Sequence, residues 1–208
     1  MRQSYERFYT ALGRPLAGRA RIALVLLVVP LALSLGAPLW KIHMVAPQYP
    51  QGLDLDIYAH TVEGDVQEIN TLNHYIGMAR IDRAALTDLD WMPFAIGALF
   101  LLTLRVAAIG NLRWLIDLTV VFLYFSIFSL GRFVYKLYAF GHNLDPQAPF
   151  AVEPFTPAIL GTKQIANFTT TSLPGLATAY LGVFALGLLV LTGWHLLRGM
   201  RSGELELS

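Results

Sequence analysis

Three histidines and a methionine have the chemistry and spacing to form a site. His74 and Met78 are four residues apart in the phrase Leu72–Met78, which places both side chains on one face of a helix or of a strand. His43 and His142 lie in polar stretches that we expect on the same side of a membrane. Because imidazole and thioether ligands together suit copper, these four residues are the candidate metal ligands. The alternative is structural, with His as an interfacial hydrogen-bonding group and Met as a gap filler.

A basic pair near the end of the third apolar stretch is a second candidate for function. Arg132 and Lys136 are four residues apart, on one helical face. Charged residues inside membrane spans are functional candidates by default. This pair has the chemistry to hold an anionic lipid, a quinone oxygen or a carboxylate, and pairing with Asp145 or Glu153 is the simplest use.

Arg113 and Asp117 show the same spacing at the start of that stretch. A local ion pair at the membrane interface accounts for both residues. The sequence therefore predicts a structural role for them.

The elements that must position these residues are membrane helices. Of the 208 residues, 55% are hydrophobic and only 14% are charged, whereas about a quarter of the residues in a soluble domain are charged. Apolar runs long enough to cross a hydrocarbon core of about 30 Å recur four times. We expect an all-α membrane protein, a four-transmembrane-helix bundle forming one membrane domain over 1–208, with spans at about 22–40, 91–110, 114–140 and 176–197.

Two polar segments separate these spans, at about 41–90 and 141–175. Apolar and polar residues alternate over 53–60, which predicts a half-buried strand. A turn at 63–65 then suggests a returning strand at 66–69. The segment at 141–175 is rich in Pro and Thr, and we expect an irregular loop there.

The distribution of basic residues predicts the orientation. Arginines precede the first span, flank the short turn between the second and third spans, and follow the last span; they are Arg2, Arg7, Arg14, Arg19, Arg21, Arg105, Arg113, Arg198 and Arg201. Cytoplasmic loops carry such an excess. We therefore expect a multi-pass protein of the bacterial inner membrane, in contact with lipids, with cytoplasmic N and C termini and two periplasmic segments.

The composition also argues against several classes of protein. A chain without cysteine offers no thiolate for an iron–sulfur cluster or for attachment of haem c. A net charge of +1 gives no field that would favour nucleic acid as a partner. The sequence carries no nucleophile-elbow, zincin or phosphate-loop motif. An enzymatic role is therefore not favoured, although the sequence does not decide it.

Three phrases resemble the NosB-type small polytopic membrane proteins associated with bacterial nitrous oxide reductase and related respiratory copper enzymes. They are A-P-Q-Y-P-x-G-L at 46–53, L-N-H-Y-I-G-M at 72–78 and I-A-N-F-T-T at 165–170. The resemblance implies a setting in periplasmic copper or denitrification respiration. The expected function is an accessory membrane protein that supports a respiratory copper enzyme through copper handling, maturation or electron supply. The alternative is a non-catalytic structural subunit of a larger respiratory complex, whose periplasmic loops dock protein partners.

Overall fold

A computed structural model describes residues 12–165 and 167–205 of the chain. Arg2 and Arg7, on which the predicted orientation partly depends, lie outside these residues. The helices of the described part are α1 (Gly18–Leu33), α2 (Val66–Ile76), α3 (Asp88–Ile109), α4 (Leu112–His142) and α5 (Leu176–Leu205). Its strands are β1 (Trp40–Ala46), β2 (Tyr49–Ile57), β3 (Val62–Gly64), β4 (Gly161–Ile165) and β5 (Phe168–Pro174).

Four helices are long and apolar enough to cross a membrane, which confirms the predicted number for the described residues. They are α1 with the short 3₁₀ turn that follows it, α3, α4 and α5. The 22 residues of α3 span about 33 Å at 1.5 Å per residue. The 31 residues of α4 span about 46 Å, so α4 is longer than a hydrocarbon core of about 30 Å requires.

The first span begins and ends earlier than predicted. Its helix starts at Gly18 and gives way at Leu33 to a 3₁₀ turn over Ser34–Gly36, whereas the hydropathy pattern extended the span to Trp40. Gly36 and Pro38 follow the helix, in agreement with the frequency of glycine at helix ends and of proline just beyond them. Trp40 instead begins strand β1.

The chain forms two compact units, and the first is an apolar helical bundle. Among the described residues it contains 12–33, Ala95–Ser126 and 180–205. Phe122 and Phe184 meet edge to face in its core, with ring centroids 4.9 Å apart. The fully buried aliphatic side chains of this unit include Leu24, Leu31, Ile96, Leu115 and Leu188. The bundle is therefore held mainly by dispersion contacts between closely packed side chains.

Polar side chains close one end of this bundle. The Arg21 guanidinium donates hydrogen bonds to the carbonyl oxygens of Ala107 (2.7 Å) and Ala108 (2.6 Å), which belong to the last turn of α3. His195 donates from Nδ1 to the Leu191 carbonyl at 2.8 Å, so its Nε2 is free to accept the Ala17 N–H at 3.4 Å. Both contacts satisfy backbone groups that helix ends leave unpaired.

The second unit contains a five-stranded antiparallel sheet with the strand order β3-β2-β1-β5-β4. The first three strands lie between α1 and α2, which confirms the predicted small β-containing segment there. The prediction of an irregular loop at 141–175 is wrong, because β4 and β5 form a hairpin in this segment. Strand β5 pairs directly with β1, from Trp40↔Pro174 to Val45↔Thr169. Both polar segments must therefore lie on the same side of any membrane that the helices cross.

One face of the sheet is apolar and packs on α2. Leu53 and Leu55 point from β2 into a core that contains Ile69 and Leu72 of α2. The predicted strand at 66–69 is wrong, since Val66 begins α2. A helix spanning three turns covers the sheet face with a wider apolar stripe than a short edge strand would provide.

Candidate functional site

The phrase Leu72–Met78 ends helix α2 in a tightly defined turn. Gly77 adopts a left-handed conformation (φ 78°) after the last helical residue, Ile76. The N–H of Met78 bonds to the Asn73 carbonyl at 2.9 Å, and the N–H of Gly77 bonds to the His74 carbonyl at 3.4 Å. These two bonds form a Schellman motif, which glycine allows because it has no Cβ.

This turn is hydrogen-bonded to the segment that follows α4. The backbone N–H of Asp145 donates to the Gly77 carbonyl at 2.8 Å, and the N–H of Phe150 donates to the Tyr75 carbonyl at 3.0 Å. A Cβ on Gly77 would lie 2.8 Å from the Asp145 carbonyl oxygen. The two polar segments therefore meet at the phrase Leu72–Met78, and glycine permits the close approach.

Within the phrase, buried and exposed residues have different roles. Leu72 lies in the core of the second unit, and Asn73 is 3% exposed with its side chain donating to the Ala79 carbonyl. His74 and Tyr75 are exposed. The phrase Leu72–Met78 therefore serves mainly to end the helix, and its exposed side chains are the His74 imidazole and the Tyr75 phenol.

An aromatic patch results, formed by His74, Tyr75 and Phe150. The ring centroids of His74 and Tyr75 are 6.2 Å apart, as are those of Tyr75 and Phe150. Tyr75 is 46% exposed and Phe150 is 64% exposed. Exposed aromatic side chains on an ordered backbone are typical of surfaces that bind another protein.

His142 is the last residue of helix α4 and is close in sequence to Phe150 of this patch. Its Nδ1 donates to the Tyr138 carbonyl at 3.0 Å, and the two rings stack with centroids 3.8 Å apart. In the neutral ring this leaves the Nε2 lone pair available to a ligand.

His43 lies on the central strand β1, on the polar face of the sheet. Its Nδ1 and the Asp54 carboxylate are 2.7 Å apart across the β1–β2 pair. The ring lies over Gly52, where a Cβ would overlap the imidazole. A donor Nδ1 held by a carboxylate leaves Nε2 as the possible ligand atom, an arrangement that metal-binding histidines share.

The four predicted ligands are thus only partly brought together. His74 and Met78 flank the Gly77 turn, and His142 begins the segment bonded to that turn. Because α2 ends at Ile76, the shared helical face predicted for His74 and Met78 does not apply. His43 belongs to the sheet. Among the described residues no group of three or more His, Asp or Glu side chains is placed to hold a metal ion, and copper binding remains a prediction.

A second charged pair lies beside His43 on the same polar face. Lys41 and Asp56 oppose each other across β1 and β2, with Nζ donating to the carboxylate at 3.0 Å. This hydrogen bond raises the pKa of Lys41 above its usual value. Side chains at alternate positions share a face, so both acid–base pairs contribute to one mixed-charge surface.

Arg132 and Lys136, the basic pair of α4, bind a carboxylate that was not among the partners predicted from the sequence. Arg132 contacts Asp88 through Nε at 2.9 Å and through Nη2 at 3.0 Å. Lys136 lies 3.8 Å from the same carboxylate and donates to the Ala85 carbonyl at 2.6 Å. The predicted partners Asp145 and Glu153 do not form ion pairs in the described part of the chain. The only signal for Asp88 was its place in the predicted polar segment at 41–90, three residues before the predicted start of the second span at about 91.

Arg113 and Asp117 form no ion pair among the described residues. The predicted local pair is therefore absent there, and Asp117 remains exposed on α4.

Comparison with known proteins finds no protein-family model and no curated protein that matches this chain.

Proposed function

We propose that this chain is a non-catalytic accessory subunit of a membrane respiratory assembly built around a copper enzyme. Its helices anchor it in the bilayer. Its aromatic patch binds a protein partner on the side of the membrane where the sheet lies. The respiratory copper setting comes from the resemblance of the three sequence phrases. The proposed location is the bacterial inner membrane with cytoplasmic termini, supported by the arginines before α1 and around the α3–α4 turn.

The observation that carries the docking role is the exposure of Tyr75 and Phe150 on a backbone held by hydrogen bonds between two chain segments. The Phe150 N–H to Tyr75 carbonyl bond joins the two residues directly. An ordered aromatic pair loses little conformational entropy on binding, so it contributes affinity efficiently. Because both side chains are exposed, they do not contribute to a hydrophobic core, and this favours a role in an interface with another protein.

Co-purification of variants tests this role. The tagged chain is extracted with a mild detergent and isolated with its partners, and copper in the isolate is measured by mass spectrometry. The Tyr75→Ala/Phe150→Ala variant is expected to lose both the partner and the copper. Leu160→Ala removes another exposed apolar side chain of the same unit and is expected to retain them. Equal retention by both variants, or a wild-type isolate that is a lone monomer, would contradict the proposal.

Copper handling is the second candidate, favoured by the meeting of the Gly77 turn with the segment after His142. This contact brings the chain segments of His74, Met78 and His142 together, and His142 keeps Nε2 available. The test is a competition for Cu(I) between the purified protein and a chelator, in which the copper retained by the protein is measured. His74→Ala and Met78→Ala are expected to weaken retention, whereas the exposed histidine control His60→Ala leaves it unchanged. No retained copper in the wild type would exclude this function.

A further inference from the structure

Two exposed arginines flank the short turn between α3 and α4. Arg105 lies four residues before the end of α3, and Arg113 is the second residue of α4. Neither guanidinium forms a hydrogen bond or an ion pair with another residue in the described part of the chain. Arg21 differs, because the carbonyl oxygens of Ala107 and Ala108 hold its guanidinium. Arg105 and Arg113 therefore keep their N–H donors available for a ligand.

The Trp114 ring orients the guanidinium of Arg105, which lies 4.4 Å from the ring centroid. Tryptophan at the end of a membrane-length helix marks the level of the lipid headgroups, so the stacked guanidinium lies at that level. The indole covers one face of the guanidinium and leaves the N–H groups at its edge unblocked. Phosphate oxygens match the geometry of these N–H groups, and lipids supply such oxygens at this depth.

The charge of the first unit favours an anionic ligand. Its described residues include seven arginines, no lysine and two acids. The segment before α1 joins the turn, since the N–H of Leu112 donates to the Arg14 carbonyl at 3.0 Å. Asp117 lies one turn from Arg113 on α4 and offsets only part of this charge. The positive excess favours an anionic lipid over a zwitterionic one, which brings a cation of its own.

Apolar side chains lie next to Arg105, farther into the span. Leu101 and Leu102 precede Arg105 by four and three residues, so they share its face of α3. Leu101 is 66% exposed. A cation at headgroup level beside an exposed apolar surface matches a ligand that has both a phosphate and acyl chains. A soluble anion would leave the apolar part of this surface uncovered, which favours a lipid.

We propose that the Arg105–Trp114 pair binds the phosphate of an anionic phospholipid. Arg105 donates hydrogen bonds to the phosphate oxygens, Arg113 adds positive charge at the same level, and an acyl chain lies along Leu101. This ligand goes beyond the proposed function, because a lipid binds to the chain itself and requires no respiratory partner.

Lipid binding to the purified full chain tests the proposal. The chain is delipidated in detergent, phosphatidylglycerol or phosphatidylcholine with the same acyl chains is added, and native mass spectrometry measures the bound fraction. We expect phosphatidylglycerol to bind more tightly. Arg105→Gln is expected to weaken its binding about fivefold and Arg113→Gln about threefold. Arg83→Gln, which removes a 90% exposed arginine side chain of the second unit, is the matched control and is expected to have no effect.

A substitution of opposite sign strengthens the test. Asp117→Asn removes the carboxylate one turn from Arg113 and is expected to tighten phosphatidylglycerol binding about twofold. Thermal unfolding of each variant, without lipid, checks that it folds. We expect an unchanged midpoint for Arg105→Gln and Arg113→Gln, because neither arginine is hydrogen-bonded to the described part of the chain.

Three results would overturn the proposal. The first is equal binding of the two lipids, or phosphatidylglycerol binding that Arg105→Gln leaves unchanged. The second is displacement of phosphatidylglycerol by an equal concentration of inorganic phosphate, which would assign the pair to a free anion. The third is an acidic protein that co-purifies with the wild type and is lost from Arg105→Gln. The lipid measurement uses the purified chain alone, so a failure of the aromatic-patch docking leaves its outcome unchanged.

Discussion

Asp88 and Arg132 form a two-pronged ion pair that joins the first turn of α3 to α4. The two oxygens of Asp88 accept from Nε and Nη2 of Arg132 at 2.9 Å and 3.0 Å. The side chains are 19% and 36% exposed, so water screens the pair only partly. Bidentate geometry fixes orientation as well as distance.

Removing one member of this pair is expected to destabilise the second unit. Asp88→Asn leaves two cations without their carboxylate, and the expected cost is about 1–3 kcal/mol. Thermal unfolding in detergent, followed by circular dichroism, measures the change. The control is Asp90→Asn, which breaks the more exposed Arg83–Asp90 pair and is expected to cost less than about 1 kcal/mol. Equal effects of the two substitutions would mean that the Asp88 pair has no special role.

A disulfide can report the strand register and the compartment together. Val45 and Thr169 are directly opposite across β1 and β5, so cysteines at both positions are expected to bond in an oxidising periplasm. Val45→Cys with Thr170→Cys is the control, because adjacent residues on β5 point to opposite faces. A shift on non-reducing electrophoresis, after cleavage of the chain between the cysteines, measures the bond. Cross-linking of the control alone would contradict the register.

His43 and Gly52 are expected to show strong coupling. Gly52 has φ 88°, and a side chain there would overlap the His43 ring, so Gly52→Ala is expected to cost about 1–3 kcal/mol. His43→Ala in the same chain removes the overlap and is expected to recover part of that loss, leaving the backbone strain. Amide hydrogen exchange across β1 and β2 measures local stability in all four variants. Strictly additive effects would show that the ring does not restrict this position.

A hydroxyl contact inside the first unit gives a fourth prediction. Thr119 donates to the Leu115 carbonyl at 2.8 Å, so its oxygen accepts from the Thr192 hydroxyl at 2.8 Å. Thr192→Val keeps the shape and removes that donor, with an expected cost of about 0.5–1.5 kcal/mol. Thermal unfolding of Thr192→Val in detergent, compared with that of the wild-type chain, measures the size of this effect. Stabilisation by Thr192→Val would show that the apolar replacement packs better than the hydrogen bond holds.

The three phrases behind the family resemblance have mainly structural roles. Ala46–Tyr49 forms the turn of the β1–β2 hairpin, Leu72–Met78 ends α2, and Ile165 pairs with Phe168 where β4 meets β5. Tight turns and helix ends restrict residue type strongly, which makes such strings recognisable. Their distinctiveness therefore gives less support to a metal site than their His and Met content suggests.

The sequence by itself determined the four membrane-length helices and the strand β2, because both depend on local hydrophobic periodicity. Alternation at 53–60 is sufficient to predict a strand, since the apolar positions must share one face.

Only the tertiary structure decided which distant residues meet. The β4–β5 hairpin pairs through β5 with β1, which is more than a hundred residues away in sequence. No residue pattern in the Thr-rich segment indicates that β1 is its partner. Asp88 pairs with Arg132 in preference to nearer acids because helix geometry sets the depth of both groups. The structure also separates two of the predicted ligands, His74 and Met78. Spacing along the chain places two side chains on one face only while one regular element continues, and α2 ends between these two residues.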